Sequence, residues 1–319
     1  MSIQDWSEVQ DRVFTLYGEG KLKEALAEAD RAARDFPDGL TRTSYWRACL
    51  HSLLGEKGEA LGILQNAVDR GVWWSEATLK SEEDLAPLRD LPGFQAILRV
   101  FADLSAAAAG KARLELVTVQ PKGTGSASFP PLLLALHSRG ATAPAFTRNW
   151  ESAADGGVVV AVPQSSQMCA SDQYCWDDEV KAAAEVEQAY ARVAEECRFD
   201  PDRVILTGAS QGGRLAIKAA LKGEPFRSRG FIVVVPALRD ISEFTVHLSA
   251  ASSRGVRGYM VVGDKDRFYK GVCDLRDAMQ VNGLACAMDV RPGMGHSFPK
   301  DFGETLPRAL EFVLGPYRP

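Results

Sequence analysis

The chain has 319 residues, 46% of them hydrophobic and 25% charged, which is the composition of a globular protein with one large domain or two ordinary ones. Its net charge of -5 gives no electrostatic basis for binding nucleic acid or an anionic membrane, and no apolar run approaches the roughly 20 residues of a membrane span. Residues 1–8 lack the basic and apolar regions of a signal peptide, and the six cysteines are scattered. We therefore expect a cytoplasmic protein with reduced thiols, the alternative being one disulfide between Cys169 and Cys175.

Residues 1–104 have helical periodicity throughout and contain two similar segments. The segments begin at Gly20 and Gly55, which are 35 residues apart, and both continue with Glu-Ala-Leu and then small residues. The small alanines would let paired helices pack closely, and Pro37 would end the second helix. This pattern resembles the tetratricopeptide repeat, whose period is about 34 residues. The resemblance implies a separate all-α domain over residues 1–104.

Two repeats are fewer than such arrays need for independent stability, and a third, degenerate helical unit follows around residues 82–89. This half has two interpretations: a groove that binds a protein partner, or a helical cap that shields the other half or self-associates. Trp73 and Trp74 fit a core or an interface better than a ligand cage. Residues 105–110 are predicted to be a linker, the alternative being the end of a helix.

From residue 111 onward the periodicity becomes that of strands. Residues 113–119 alternate between apolar and polar side chains, and continuous apolar runs indicate buried parallel strands. The runs are residues 131–136, 158–162, 204–206, 231–235 and 259–262, and a last strand is predicted at 285–290. Helical stretches separate most of these runs, at residues 178–197 and from about 211, 241 and 271. Residues 111–319 are therefore predicted to be an α/β domain, with a mostly parallel, doubly wound sheet covered by helices on both faces.

Ser210 lies between a predicted strand and a predicted helix, in the run Gly208-Ala209-Ser210-Gln211-Gly212. A small-x-Ser-x-small turn in this context is typical of a nucleophile elbow, which exposes the serine hydroxyl in a strained conformation. Glycine at positions 208 and 212 would allow the flanking chains to pass close by. The alternative is an ordinary Gly-Ser loop.

A serine hydroxyl becomes a good nucleophile when a base, usually histidine, takes its proton. Of the four histidines, His51 lies in the helical repeats, His247 lies in a predicted helix and His137 follows an early strand. His296 lies in a glycine-rich loop after the last predicted strand, from which its side chain could reach the elbow. We therefore predict His296 as the base.

Asp264 and Asp266 compete to be the carboxylate that orients the base, since both follow the predicted strand at 259–262. The order serine, acid, histidine is that of α/β-hydrolases. The elbow, the Gly-Asp-Lys-Asp loop and the Gly-Met-Gly-His296 sequence together resemble the phospholipase/carboxylesterase and dienelactone-hydrolase-like group of that fold over about residues 111–319. The resemblance implies Asp266 as the acid. Proline often follows in that group, where this chain has Arg267.

Acyl transfer also requires hydrogen-bond donors for the developing oxyanion. The backbone N–H of Gln211, directly after the serine, is one candidate. Residues 136–142 resemble the His-Gly-x-Gly loop of the same group, and the resemblance implies the Arg139 N–H as the second donor. Ser138 stands where the group has glycine, so it either restricts the backbone or adds a hydrogen bond. His137 is then expected to brace the loop.

A polar and aromatic loop is predicted over residues 163–178, after a strand, where it would shape a substrate pocket. Tyr174 and Trp176, together with Ser138, are candidate substrate contacts, the alternative for Trp176 being a pure core role. Asp177 and Asp178 are more simply interpreted as residues favoured at a helix N-terminus. Their spacing does not support a metal site.

The motifs together predict a serine hydrolase that cleaves a small-molecule carboxylic ester through an acyl-enzyme, with no cofactor. The alternatives are an acyl-protein thioesterase or a peptidase on the same fold, because fold and triad do not determine the bond that is cleaved. A further alternative is a binding protein whose repeats act on a partner while the hydrolase domain is vestigial.

Overall fold

The computed structural model describes residues 6–121 and 129–315. The first five residues of the segment tested for a signal peptide lie outside this range. The chain divides into two units: Met1–Ala112 with Met168–Gln173, and Arg113–Gln167 with Tyr174–Pro319. Residues 168–173, which the sequence places in the α/β half, thus belong to the helical unit.

The helical unit contains six α-helices within its described residues. They are α1 (Trp6–Gly18), α2 (Leu22–Asp35), α3 (Leu40–Leu53), α4 (Lys57–Asp69), α5 (Glu76–Ser81) and α6 (Pro92–Ala109). The two similar sequence segments fold alike, as a turn followed by α2 or by α4, and the degenerate third unit is a 3-10 helix at Glu83–Leu88. Residues 105–109 are the end of α6, so the prediction of a separate linker at 105–110 is wrong: nothing in this alanine-rich stretch breaks a helix.

The core of the helical unit contains both tryptophans of the Trp73-Trp74 pair, which are 5% and 2% exposed. Residues 168–173 add a short extended segment to this core. The Ser75 N–H donates to the carbonyl of Cys169 at 2.8 Å, and the Ser171 N–H donates to the carbonyl of Trp73 at 2.9 Å. Trp73 and Trp74 therefore have the core role that their burial requires.

The α/β unit is built on a seven-stranded sheet. The strands among the described residues are β1 (Glu115–Val119), β2 (Leu132–Leu136), β3 (Val159–Gln164), β4 (Gln167–Ala170), β5 (Gln173–Cys175), β6 (Val204–Ala209), β7 (Gly230–Val234), β8 (Arg257–Gly263) and β9 (Ala285–Arg291). The sheet order is β1-β3-β2-β6-β7-β8-β9, and β1 is antiparallel to its neighbour while the other pairings are parallel. The carboxyl ends of β2, β6, β7, β8 and β9 therefore lie side by side at one edge.

Helices cover both faces of this sheet. They are α7 (Ala143–Thr147), α8 (Glu179–Glu196), α9 (Ser210–Lys222), α10 (Ser242–Thr245), α11 (Leu248–Ser253), α12 (Tyr269–Val281) and α13 (Phe302–Leu314). Alternate residues of β2 belong to different cores, Leu134 to the one with α8, α9 and α12, and Leu133 to the one with α7 and α13. The predicted mostly parallel sheet with helices on both faces is confirmed.

Two local predictions about the α/β half are wrong. His247 lies in a turn between α10 and α11, not inside a helix. Residues 163–178 are not simply a loop, because β3 continues to Gln164 and β4 pairs with β5 as a hairpin. Strands of three or four residues are too short to give a periodic signal in the sequence.

None of the six cysteines is in a disulfide bond, so Cys169 and Cys175 are not joined to each other. Among the described residues, no helix is both long enough and apolar enough to cross a membrane.

Candidate active site

Ser210 lies at the carboxyl end of the central strand β6 and begins α9. Its φ angle is +52°, a left-handed conformation that is uncommon for a residue with a side chain. This conformation is the strained turn that the sequence predicts for a nucleophile elbow. The Ser210 carbonyl accepts a hydrogen bond from the Ala237 N–H at 3.1 Å, which ties the turn to the segment after β7.

The elbow passes very close to the end of β2, at Gly212. A Cβ atom on Gly212 would lie 2.1 Å from the carbonyl oxygen of Leu136 and 2.5 Å from that of His137. Real Cβ atoms do not approach oxygen so closely, so only glycine fits. The start of α9 is thus held against the loop that carries the predicted oxyanion donor Arg139.

Three side chains from the ends of three strands form a chain of hydrogen bonds. The Oγ of Ser210 lies 2.9 Å from Nε2 of His296, and Nδ1 of His296 lies 2.9 Å from Oδ2 of Asp266. The Asp266 side chain is fully buried, and its Oδ1 accepts a hydrogen bond from the Phe268 N–H at 2.9 Å. Asp264 is turned away, and its carboxylate accepts a hydrogen bond from the Gly293 N–H at 2.7 Å.

The loop that carries His296 is joined to the loop that carries Asp266. The Lys265 N–H donates to the carbonyl of Met294 at 3.0 Å. This approach requires Gly263, since a Cβ there would lie 1.8 Å from the same oxygen. Phe268 packs edge-on against the His296 ring, with 5.3 Å between ring centroids. Backbone contacts thus fix the imidazole and the carboxylate relative to each other.

His137 is fully buried beneath the loop that follows β2. Its Nε2 accepts a hydrogen bond from the Ser165 N–H at 3.2 Å, so Nδ1 carries the proton and donates to the carbonyl of Ser138 at 2.9 Å. Burial lowers the pKa of His137 to about 4, although the hydrogen bond to Ser138 acts in the opposite direction. His137 is therefore neutral at pH 7 and braces the loop, and it does not contact Ser210.

We expect the stability of the protein to fall as the pH is lowered from 6.5 towards 4. Unfolded His137 binds a proton below pH 6.5, whereas the folded residue resists protonation down to a pKa of about 4. As the pH falls, the unfolded state thus gains protons before the folded state does. The free energy of unfolding decreases by an amount that approaches about 3 kcal/mol near pH 4. Urea unfolding at several pH values measures it. The variant His137→Gln should show a shallower acid slope than the wild type, while parallel curves for the two proteins would contradict the assignment.

Asp177 connects the two residues that carry the predicted oxyanion donors. Its Oδ1 accepts hydrogen bonds from the Arg139 guanidinium and, at 2.8 Å, from the Gln211 side-chain amide. Partial burial would raise the pKa of Asp177, but these hydrogen bonds outweigh it and hold the pKa below its ordinary value. The Oε1 of Gln211 accepts the Trp176 N–H at 2.9 Å. No local pattern in the sequence indicates this role for Asp177, because its partners lie 38 and 34 residues away in the chain.

The three predicted substrate contacts have different positions. Trp176 is only 3% exposed and its indole N–H donates to the carbonyl of His137 at 2.9 Å, so the core alternative describes it and a substrate contact is a wrong prediction. Tyr174 is half-buried, and its carbonyl accepts the Gly140 N–H at 2.8 Å. The Ser138 hydroxyl donates to the carbonyl of Ala209 at 3.3 Å, so serine adds a hydrogen bond to the elbow.

The site contains a hydroxyl, an imidazole and a buried carboxylate that are joined by hydrogen bonds in that order. Two backbone segments beside them could supply N–H donors. This arrangement can move a proton from the serine to the histidine while the carboxylate stabilises the resulting charge. Among residues 6–121 and 129–315, no group of three or more histidine, cysteine or acidic side chains is arranged to hold a metal ion.

Residues 7–109 match a family model described as "A/B hydrolase-like, N-terminal domain". The sequence has no match among curated proteins. A solved structure of an uncharacterized protein from Bacillus cereus ATCC 10987 is similar, with 24% identity over 97% of this chain and 99% of that chain and a TM-score of 0.55.

Other similar structures include enzymes. A thermophilic esterase from the Planctomycetes species Thermogutta terrifontis is 15% identical over 62% of this chain and 86% of that chain, with a TM-score of 0.48. An S-formylglutathione hydrolase from Staphylococcus aureus is 11% identical over 64% of this chain and 98% of that chain, with a TM-score of 0.47.

The family model supports a helical domain that precedes a hydrolase-like fold, without supporting the predicted tetratricopeptide repeat itself. The sheet order, the strained serine after the central strand and this family model agree on the architecture. The chain has an α/β-hydrolase fold preceded by an all-α region.

Proposed function

We propose that the protein is a serine hydrolase that cleaves carboxylic esters. The observation that carries the proposal is the hydrogen-bond chain from Ser210 through His296 to the buried Asp266. In the proposed reaction, His296 Nε2 takes the hydroxyl proton as Ser210 Oγ attacks the ester carbonyl. Asp266 holds the imidazole by Nδ1 and stabilises its positive charge. The same proton then passes to the departing alcohol, and an acyl-enzyme remains.

Water completes the reaction by the same route. His296 removes a proton from the water, which attacks the acyl carbonyl, and the proton returns to Ser210 as the acid leaves. During both steps the carbonyl oxygen carries negative charge, and the backbone N–H groups of Gln211 and Arg139 are the donors proposed to bind it. The reaction requires no cofactor.

Active-site labelling tests the proposal against the vestigial alternative. A fluorophosphonate reacts with an activated serine, so we expect one adduct per chain, located at Ser210 by peptide mass spectrometry. An excess of p-nitrophenyl acetate present during labelling should slow the labelling by competition for Ser210. Absence of an adduct would show that the serine is not activated, and an adduct on another serine would show that the wrong residue was chosen.

Asp177 is proposed to position both oxyanion donors through the side chains of Arg139 and Gln211. We expect Asp177→Asn to lower kcat for an ester about tenfold with little change in KM. The variant displaces the oxyanion donors but does not remove them, and a displaced donor should lower kcat less than a missing one. Asp178→Asn is the matched control, because Asp178 caps α8 and asparagine caps equally well. Equal kcat values for the wild type and Asp177→Asn would contradict the role.

For the helical unit, we propose that it binds a protein partner or a second copy of the chain in the cytoplasm. Its described residues include exposed aromatic side chains on α1, Phe14 at 48% and Tyr17 at 41% exposure. Sedimentation of the purified chain distinguishes the two alternatives. A concentration-dependent dimer supports self-association, whereas a monomer at all concentrations favours a different protein as the partner.

A further inference from the structure

A cavity of about 300 Å³ lies beside the proposed nucleophile and base. It is lined by Arg214, Ala237, Arg239, Asp240, Glu243 and Phe268. The Ala237 N–H binds the Ser210 carbonyl, and Phe268 packs against the His296 ring, so the walls of the cavity contact both reacting residues. Ala237 and Phe268 thus belong both to the cavity wall and to the immediate contacts of Ser210 and His296.

Most charges around this cavity are neutralised by one another. Arg214 binds Glu179 at 2.8 Å and Glu243 at 2.6 Å, and Lys218 also binds both carboxylates. The two cations and two carboxylates thus pair with one another and have no net charge together. The Asp240 carboxylate accepts hydrogen bonds from the backbone N–H and the hydroxyl of Ser242, at 2.9 and 2.7 Å, which stabilise its negative charge without cancelling it.

Two arginines contact Phe268, a wall residue of the cavity: Arg239 lines the cavity itself, whereas Arg267 reaches it only through the Phe268 ring. The Arg239 guanidinium lies 5.8 Å from the centre of the Phe268 ring, and the Arg267 guanidinium lies 4.9 Å from it. Within the described part of the chain, neither forms an ion pair. A guanidinium stacked on an aromatic ring keeps its N–H edge available, and that edge matches a carboxylate in a two-point contact.

We infer that this cavity binds a carboxylate on the substrate, so that the preferred substrates are esters carrying a negative charge close to the scissile bond. The inference rests on the proposed ester hydrolysis at Ser210 and names its substrate class. Position 267 is where the sequence departs from the Gly-Asp-x-Asp-Pro pattern of the hydrolases that it resembles. Here the residue next to the acid brings a positive charge to the ring that packs on the base.

Two pairs of esters test the inference and locate the charge. Monophenyl succinate against phenyl butyrate places the carboxylate on the acyl side, and 4-acetoxybenzoate against phenyl acetate places it on the alcohol side. We expect a higher kcat/KM for the charged member of at least one pair. The double variant Arg239→Gln/Arg267→Gln should lower kcat/KM for that ester about ten- to hundredfold, because charged hydrogen bonds are lost. The neutral partner ester should change by less than about threefold.

Arg198→Gln is the matched control, since Arg198 is exposed, precedes β6 and does not line the cavity. The inference is overturned if the wild type prefers the neutral member of both pairs, or if the double variant keeps the preference for charge. Fluorophosphonate labelling of Ser210 in the same preparations separates this failure from that of the proposed function. Labelled protein without charge preference overturns only the substrate class, while unlabelled protein that cleaves no ester overturns both.

Discussion

Replacement of Ser210 by alanine is expected to reduce ester hydrolysis by at least about four orders of magnitude in kcat, with the folded structure unchanged. The hydroxyl is the group that forms the acyl bond, and His296 and Asp266 act on the substrate only through it. Alanine also has a Cβ, so it experiences the same φ of +52° as serine and should not alter the elbow. The decisive measurement is single-turnover hydrolysis of p-nitrophenyl acetate.

The control for this experiment is Ser249→Ala, which changes an exposed serine on α11 in the same way. That variant should hydrolyse the ester at the wild-type rate. Thermal unfolding of all three proteins should give matching Tm values within about 2 °C, so that lost activity reflects lost chemistry. Activity of Ser210→Ala within tenfold of the wild type would remove Ser210 from the mechanism.

The site residues that the sequence identifies are those set by local rules. A serine between an apolar run and a helical stretch is a strong local signal, because the turn needs small residues on both sides. The order of the motifs then restricts the base, since His296 is the histidine in a loop after the last strand. The structure places both residues at the same edge of the sheet, because parallel strands end there together.

Residue type and position alone do not decide whether Asp264 or Asp266 is the acid. They are two positions apart in one loop, and composition gives both the same chemistry. The resemblance to a known group implied Asp266, and the structure shows the geometric reason. The backbone N–H of Phe268 and the His296 ring hold Asp266, whereas the Gly293 N–H holds Asp264.

Other parts of the site depend on contacts between distant segments, which no local pattern encodes. Trp176 lies in a polar stretch, which predicts a position at a pocket, yet its indole N–H donates to the carbonyl of His137, 39 residues away in sequence. The position of Asp177 before a helix predicts a role at the helix N-terminus, yet its partners come from the loops after β2 and β6. Side chains in irregular segments obtain their roles from tertiary structure, so periodicity cannot predict them.

Gly212→Ala is expected to cost about 3 kcal/mol or more in the free energy of unfolding. The new Cβ would lie 2.1 Å from the Leu136 carbonyl oxygen, and both groups belong to backbone that cannot rotate away. Relief requires α9 and the end of β2 to separate, which disturbs a central strand pairing and the predicted oxyanion loop together. Urea unfolding followed by circular dichroism measures the loss.

Two other glycines turn this prediction into a graded series. A Cβ on Gly213 would meet its nearest atom at 3.2 Å, and a Cβ on Gly303, near the start of α13, would meet nothing within 4 Å. Alanine at 213 should therefore cost less than alanine at 212, and alanine at 303 should stabilise slightly, because alanine favours helix over glycine by about 1 kcal/mol. The order 212, 213, 303 follows from steric distance alone, since all three changes add the same methyl group to a helix. If Gly212→Ala were as stable as Gly303→Ala, the close approach of the elbow to β2 would be wrong, and the oxyanion loop could not lie where the proposed mechanism needs it.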